Sequence, residues 1–392
     1  MEITSLPQNV LLDILMRLPV KPLIRFSLSC KQYLSLIHHP HFINRHLTHS
    51  KIYPSRDDNF LLLCYSIKDH DQYYSLCSLT DGGKIQSEDK RFRNPFKFGN
   101  GRNSWAEIIG SSNGLVCLSV CDTVSYQSRS IILWNVVIGK YKELPHPCLS
   151  TYPHSRSFLH VSIGFGFVLE TNDFKVVQIM RCHGSDGDEV LVPDVWVYSM
   201  ELDTWRKIEA NIALCSKDNV CFFNVYVNGA VHWLVYSSMG GFFPRSIMSF
   251  DMKGEIFKEM ALPNNHGNVI HSLEIFSSAC GETLSLFIKF KDSNHWEVWL
   301  MKEYGFVDSW TRQFCIIAEG QISRPLKVMH NGDVLLEVEV SSRNHNKLVL
   351  YDAKNQKMMD LGTDMKSFRI VNCSSSLSLL DVGEKEVSPP GA

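Results

Sequence analysis

The chain has no excess of charge of either sign. Its 39 lysines and arginines stand against 41 aspartates and glutamates, a net charge of −2. A general nucleic-acid binder carries a basic surplus, so that class is excluded. No run of about 18 apolar residues exists to cross a bilayer. The first residues have neither a basic stretch nor an apolar core of the secretory kind. The expected setting is therefore cytoplasmic or nuclear, with no membrane contact. The twelve cysteines (Cys30, Cys64, Cys77, Cys117, Cys121, Cys148, Cys182, Cys215, Cys221, Cys280, Cys315 and Cys373) include no C-x-x-C pair. This removes the usual zinc and thioredoxin-type motifs and leaves reduced thiols packed as small apolar groups.

Catalytic signatures are equally scarce. No H-E-x-x-H occurs. Gly164-Phe165-Gly166-Phe167 lacks the third glycine of a dinucleotide fingerprint and reads as strand. Gly110-Ser111-Ser112-Asn113-Gly114 spells G-x-S-x-G, but the β-rich run Leu115–Val120 follows where a nucleophile elbow needs a helix. His38, His39, His41 and His46 cluster in a helical stretch and read as surface or capping residues. Lys90–Lys97 interleaves basic and aromatic residues as single-strand nucleic-acid sites do. In a chain of this charge it reads as a loop that packs its rings and solvates its cations. The expectation is no catalytic residue, no metal and no cofactor.

What is present divides in two. At 392 residues, with 44% hydrophobic and 20% charged residues, the chain can hold one small module and one large β domain. The first fifty residues are helical in pattern. Ser5 and Gln8 have capping-box spacing, Pro7 falls in a first turn, and Pro19 closes the segment. On a wheel, Val10, Ile14, Leu18, Leu11 and Leu15 fall at about 0, 40, 80, 100 and 140°. Leu12 and Met16 fall at roughly 200 and 240°. One apolar stripe of about 100° would suffice for an ordinary surface helix. A second face is therefore left over, for the rest of the chain or for a partner. Lys21–Ile37 reads as one or two further short helices, and Phe42–Leu47 as one last turn.

From Leu6 to about Leu47, the pattern LPxxVLLDILxRLPVKxLIRFSxxCKxYxSLIxxPxFxxxHL resembles an F-box, the helical module that docks on the Skp adaptor of cullin-RING ubiquitin ligases. Tyr33 stands where the plant version usually has Trp. Both are large aromatics with a polar tip. The resemblance implies that Leu6, Pro7, Leu11, Ile14, Leu15, Leu18, Pro19, Val20 and Leu23 present themselves to a Skp-type protein.

After a polar joint, residues 51–58, the sequence becomes strand and turn. Asn113-Gly114, Asn228-Gly229 and Asn331-Gly332 each precede a strand-like run, as tight hairpins would. The run after Gly332 alternates Val334, Leu336, Val338 and Val340 with Asp333, Glu337 and Glu339, giving one wet face. Trp134 is followed seven residues later by Tyr141, Tyr198 by Trp205, Phe250 by Phe257, and Tyr351 by Met358; Trp299 leads to Trp310 by a longer turn. The lead aromatics recur about every fifty residues, a period typical of four-stranded propeller blades. A less regular sixth unit spans Phe60–Tyr65 and Tyr73–Leu79, and Ser374–Leu380 is expected to pair back and close the ring. The tryptophans of the repeat are expected in the core. An irregular pair of β-sandwiches is the alternative.

GSSNGLVCLS, LWNVVIGKYKELP, IGFGFVLETNDFKVVQI, VWVYSMELDTWRKI, VYVNGAVHWLVY, IMSFDMKGEIFKEMALP and EVWLMKEYGFVDSWTRQF resemble the plant F-box-associated domain in order, from about Ser111 to Leu361. With the head, this resembles the plant F-box family with a kelch-like carboxyl domain, of the S-locus or defence-regulator type. The implied fold is α+β, a helical F-box (1–50), a linker (51–58), a six-bladed propeller-like β domain (59–382) and a flexible tail (383–392). The implied role is a non-catalytic substrate adaptor of a Skp-cullin-F-box ubiquitin ligase, with an unidentified protein substrate. The alternatives are a scaffold acting outside a ligase and a kelch-type propeller enzyme. Cys182–Glu189, Ser237–Arg245 and Asn264–His271 are the long loops where substrate contact is expected.

Overall fold

The computed structural model describes residues 7–52, 60–65, 71–79, 85–87, 92–96, 104–122, 129–147, 158–182, 193–209, 219–237, 243–264, 269–278, 281–317, 322–340 and 345–380. Among the described residues, four helices form the head: α1 (Gln8–Met16), α2 (Val20–Ser27), α3 (Lys31–Ile37) and α4 (Pro40–Ile52). Pro7 and Pro19 stand immediately before α1 and α2, and no side chain caps either helix. Ser5, and with it the capping box, lies outside the described residues. Pro40 starts α4, which runs 13 residues where the sequence suggests one turn. A proline at the first helical position sacrifices no hydrogen bond.

Six antiparallel sheets follow. Blade 2 comprises Ser104–Ser112, Leu115–Asp122, Arg129–Asn135 and Lys140–Glu143. Blade 3 comprises Phe158–Val168, Asp173–Cys182, Asp194–Ser199 and Thr204–Ile208. Blade 4 comprises Asn219–Val227, Ala230–Ser237, Phe243–Asp251 and Phe257–Ala261. Blade 5 comprises Ile270–Ser277, Leu284–Phe290, Trp296–Met301 and Trp310–Ile316, and blade 6 comprises Ile322–Val328, Val334–Val340, His345–Asp352 and Lys357–Met365. Blade 1 combines Phe60–Tyr65, Gln72–Leu79, Ile85–Ser87 and Phe92–Arg93 with Ser367–Asn372 from the other end of the chain. The closing strand is thus Ser367–Asn372, paired with Phe60–Tyr65. Ser374–Leu380 forms no strand.

The seven-residue spacing is a cross-strand pair between the third and fourth strands. Trp134 faces Tyr141, Tyr198 faces Trp205, Phe250 faces Phe257, and Tyr351 faces Met358. Such pairs are the unit of sheet stabilisation. In blade 5 a register shift puts Met301 opposite Trp310 and leaves Trp299 opposite Arg312. Met301 is the buried lead residue there. Asn113-Gly114 and Asn228-Gly229 have positive φ at both positions, the turn that suits strand twist, whereas at Asn331-Gly332 the glycine alone does. Trp134, Trp196, Trp233, Trp296 and Trp310 are buried, as expected of core residues, whereas Trp205 and Trp299 are only partly buried at the edge of theirs. The expected wet face of Val334–Val340 is wet only at its far end: Glu339 is exposed, but Glu337 is buried against Arg324 at 2.8 Å, and Leu335 packs in the core beside it. Gly164 is a strand glycine because its neighbour fills the space: a Cβ there would stand 2.6 Å from Trp233.

Candidate functional site

The head is the part of the molecule whose apolar surface exceeds what its own fold consumes. Leu15, Met16, Val20, Leu23, Ile37, Phe42 and Ile43 form its core. Two further core residues, Leu377 and Leu380, come from the segment that follows the closing strand, and Val137 and Ile138 from a blade 2 turn pack alongside. That tail segment is held by Asn135, whose amide donates to the carbonyls of Ser376 and Ser378, both at 2.9 Å. Gly114 lets it approach, since a Cβ there would lie 2.8 Å from the Ser374 carbonyl. Leu47 of α4 joins the blade 2 and 3 core. A cleft of about 400 Å³ lies beside this junction, lined by Asn44 and Leu47 of α4 and by Asn172, Asp173, Met200 and Glu201 of blade 3. The head therefore sits on the end of the propeller that carries the turns between first and second and between third and fourth strands.

Of the residues the sequence assigned to partner docking, Pro7, Ile14 and Pro19 are exposed, and Leu11 and Leu18 are half-buried. Leu15, Val20 and Leu23 are buried, at 1%, 2% and 0% exposure. They hold α1 and α2 on the rest of the head, and their side chains offer no surface to a partner. Leu6 lies outside the described residues. Val10 and Ile14, one helical turn apart on α1, are 41% and 44% exposed. They are the leftover face of the wheel. Leu28 at the α2–α3 corner, 78% exposed, and Leu34 of α3 add apolar surface that the sequence reading missed. Lys31, Gln32 and Ser35 around Leu34 are exposed too, so that face of α3 is solvent-facing, a pattern its polar spacing carries. Arg17 and Asp13 pair at 3.1 Å beside Ile14. An ion pair this exposed adds little stability.

His46 fixes the α1–α2 corner. Its Nε2 donates to the Leu18 carbonyl at 3.0 Å, and its ring stacks on Phe42. Burial pulls its pKa below the ordinary imidazole value, with the Leu18 bond opposing. His38, His39 and His41 lie at the α3–α4 corner, where the His41 amide donates to His39 Nδ1 at 3.2 Å. Cys30 is exposed at the start of α3, and Cys64, Cys77, Cys117 and Cys373 are buried.

The ring centre holds a channel of about 180 Å³, lined by Asn224, Glu274, Arg324, Lys327 and Arg369 among others. Burial pushes the Glu274 carboxyl up to about 7, Arg324 pulling it down and Glu337 pushing it further up. Arg324 donates to Glu337 and to the Phe368 carbonyl, at 2.8 and 2.6 Å, so its guanidinium is already matched. Ser112, the serine of G-x-S-x-G, ends a strand that leads into a hairpin. In the basic-aromatic stretch, Phe96 is buried and Arg93 is exposed, paired with Asp71 at 3.3 Å; Lys90, Arg91 and Lys97 lie outside the described residues. The three long loops lie largely outside the described residues. Their described ends, at Cys182, Ser237 and Asn264, are at the end of the propeller opposite the head. Among the described residues, no helix is long and apolar enough to cross a membrane.

Comparison with known proteins matches residues 43–385 to the F-box associated beta propeller domain family and residues 3–45 to the F-box domain. F-box protein CPR1 of Arabidopsis thaliana is 26% identical over 95% of this chain and 86% of its own length. F-box/kelch-repeat protein At3g23880 of the same plant is 28% identical over 90% of this chain and 88% of its own. The crystal structure of TolB from Acinetobacter baumannii aligns at a TM-score of 0.47 and 11% identity, covering 84% of this chain and 72% of that one.

Proposed function

The chain belongs to the family of F-box proteins with an F-box-associated β-propeller domain, and from that premise we propose that it is the substrate-recognition adaptor of a Skp-cullin-F-box ubiquitin ligase. The observation that carries this reading is the surplus apolar surface of the head. Val10, Ile14, Leu28 and Leu34 are left in water after the head's own core and its contact with the propeller are complete. Pro7, Ile14, Pro19, half-buried Leu11 and Leu18, and Leu6 dock on the Skp-type adaptor. Leu15, Val20 and Leu23 act behind them by holding the helices in place.

The chemistry belongs to other subunits. The chain contributes proximity: a protein held on the propeller has its lysines at high effective concentration beside a charged conjugating enzyme. Substrate is taken by the loops at the end opposite the head, among them 182–189, 237–245 and 264–271. The hydrogen bonds of Asn135 and the packing of the tail segment support this, because a head docked on the propeller keeps the substrate at a set distance from the ligase. The test is purification of the tagged full chain from plant cells. Recovery of a Skp-type adaptor together with a cullin supports the ligase reading. Recovery of the adaptor without a cullin favours a scaffold outside a ligase, and recovery of neither overturns both.

A further inference from the structure

Blade 5 carries, at the end away from the head, a side-chain cluster that docking does not use. Its third and fourth strands place Glu297 opposite Cys315, so both side chains leave the same face of the sheet. His295 stands just before the third strand. One donor atom each from His295, Glu297 and Cys315 lie within 4.8 Å of one another. The His295 Nε2 is 3.8 Å from Glu297 Oε1.

The hydrogen bonding orients the imidazole and the carboxylate toward each other. Ser293 Oγ donates its proton to the His295 carbonyl at 2.9 Å and lies 3.1 Å from His295 Nδ1. When the hydroxyl proton goes to the carbonyl, the matching tautomer has Nδ1 donate its hydrogen to Oγ. Nε2 then turns a lone pair toward a carboxylate oxygen. Two acceptors facing each other can share a proton or a metal ion, and in this structure the Arg312 guanidinium supplies the positive charge on that oxygen. The other carboxylate oxygen accepts from Trp299 Nε1 at 2.9 Å. The imidazole and the carboxylate are thus each fixed from behind, as metal ligands are by their outer partners. The Cys315 sulfur decides between the two cations. A shared proton needs no third donor, whereas a borderline-soft divalent ion takes N, O and S donors together.

We propose that His295, Glu297 and Cys315 form a three-ligand site for a zinc-type divalent ion, with a fourth position open to solvent. Cys315 binds as the thiolate, its proton passing to water. Arg312 is the competitor: its Nη1 lies 2.9 Å from the same Glu297 Oε1. That arginine is 56% exposed while Glu297 is 9% exposed, so the metal ion must take over the charge that Arg312 now supplies to a buried carboxylate. The sequence hides the site because its ligands follow no metal-motif spacing and meet only through the hairpin register.

The experiment is titration of the full chain, stripped with a chelator, with cobalt(II) as a spectroscopic probe and then with zinc against a chromophoric chelator. The expected result is a thiolate-to-cobalt charge-transfer band that saturates at one equivalent and is abolished by zinc. His295→Gln and Cys315→Ser weaken zinc binding at least about tenfold, in keeping with the sensitivity of metal sites to losses even beyond the ligands, and Arg312→Gln strengthens it. Because eleven other cysteines are present, loss of the band in Cys315→Ser assigns the sulfur. A thermal melt of each variant checks folding, and the partly exposed His295→Gln carries the test if Cys315→Ser melts early. Absence of the band at one equivalent, or a band and affinity unchanged in His295→Gln, overturns the proposal.

Discussion

Replacing Ile14 by Asp separates docking from folding. Ile14 keeps 44% of its surface in water, while its neighbour Leu15 keeps 1%. Full burial of an isoleucine side chain is worth about 1.5–3 kcal/mol, so covering the part of Ile14 still exposed contributes about 1 kcal/mol to an interface. An aspartate there forfeits that contribution. It also leaves an uncompensated carboxylate in a dry contact, a loss of about 3–5 kcal/mol. The sum corresponds to a fall in affinity of about a thousandfold or more. In the free protein the same substitution is a surface change, worth within about 0.5 kcal/mol of stability. Calorimetric titration of the full chain with a plant Skp-type adaptor reads the first quantity, and thermal unfolding the second. Leu15→Asp makes the contrast, since a charge in the head core unfolds the helices and loses binding through the fold. An affinity for Ile14→Asp within about tenfold of the parent, at unchanged stability, would refute the placement of Ile14 in the interface.

The tail clamp is tested by Leu377→Ala, a buried leucine truncation that costs about 2–5 kcal/mol. Limited proteolysis should then release the head sooner, and equal cleavage rates would count against the clamp. Asn135→Ala, which strands the carbonyls of Ser376 and Ser378, should act in the same direction. His232 links blades 4 and 5, its Nδ1 donating to the Val225 carbonyl and its Nε2 accepting from Tyr304. Burial pushes its pKa down from 6.5 to about 4. The unfolded chain takes up that proton first, so this contribution is complete above about pH 6.5 and is lost as the pH falls toward 4, by about 3 kcal/mol. A His232→Gln variant should show a flatter melting profile across that window, and a profile parallel to the parent's would contradict the assignment. Gly164→Ala pushes a methyl into Trp233, which is fully buried and has nowhere to go; the expected loss is about 1–3 kcal/mol in a denaturant titration, and a neutral result would mean the blade 3–4 seam is looser than it stands.

The propeller was legible because its repeat is a physical pairing. An aromatic and its partner seven residues on face each other across one hairpin, so the spacing survives where sequence similarity between blades does not. It misled at Trp299, where a longer turn and a register shift move the lead position to Met301. Ser374–Leu380 alternates like a strand, yet the Asn135 side chain takes two of its carbonyls, Leu377 and Leu380 go to the head, and Leu379 goes to the blade 2 and 3 core. In α1 the wheel shows that apolar residues occupy more than one face; it cannot say which face is internal. The cover for Leu15 and Leu23 includes Leu377 and Leu380, supplied from the far end of the chain. Burial of these leucines is therefore a tertiary fact, and the leftover surface is Val10 and Ile14.

The central claim, that the head docks while the propeller remains free for substrate, is tested most directly by hydrogen exchange of the full chain with and without a plant Skp-type adaptor. Slowed exchange is expected in α1 and in the segment from Leu28 to Leu34, with the strands of blades 4 to 6 unchanged. Exchange unaltered throughout the head, or slowed only in the blades, would contradict it.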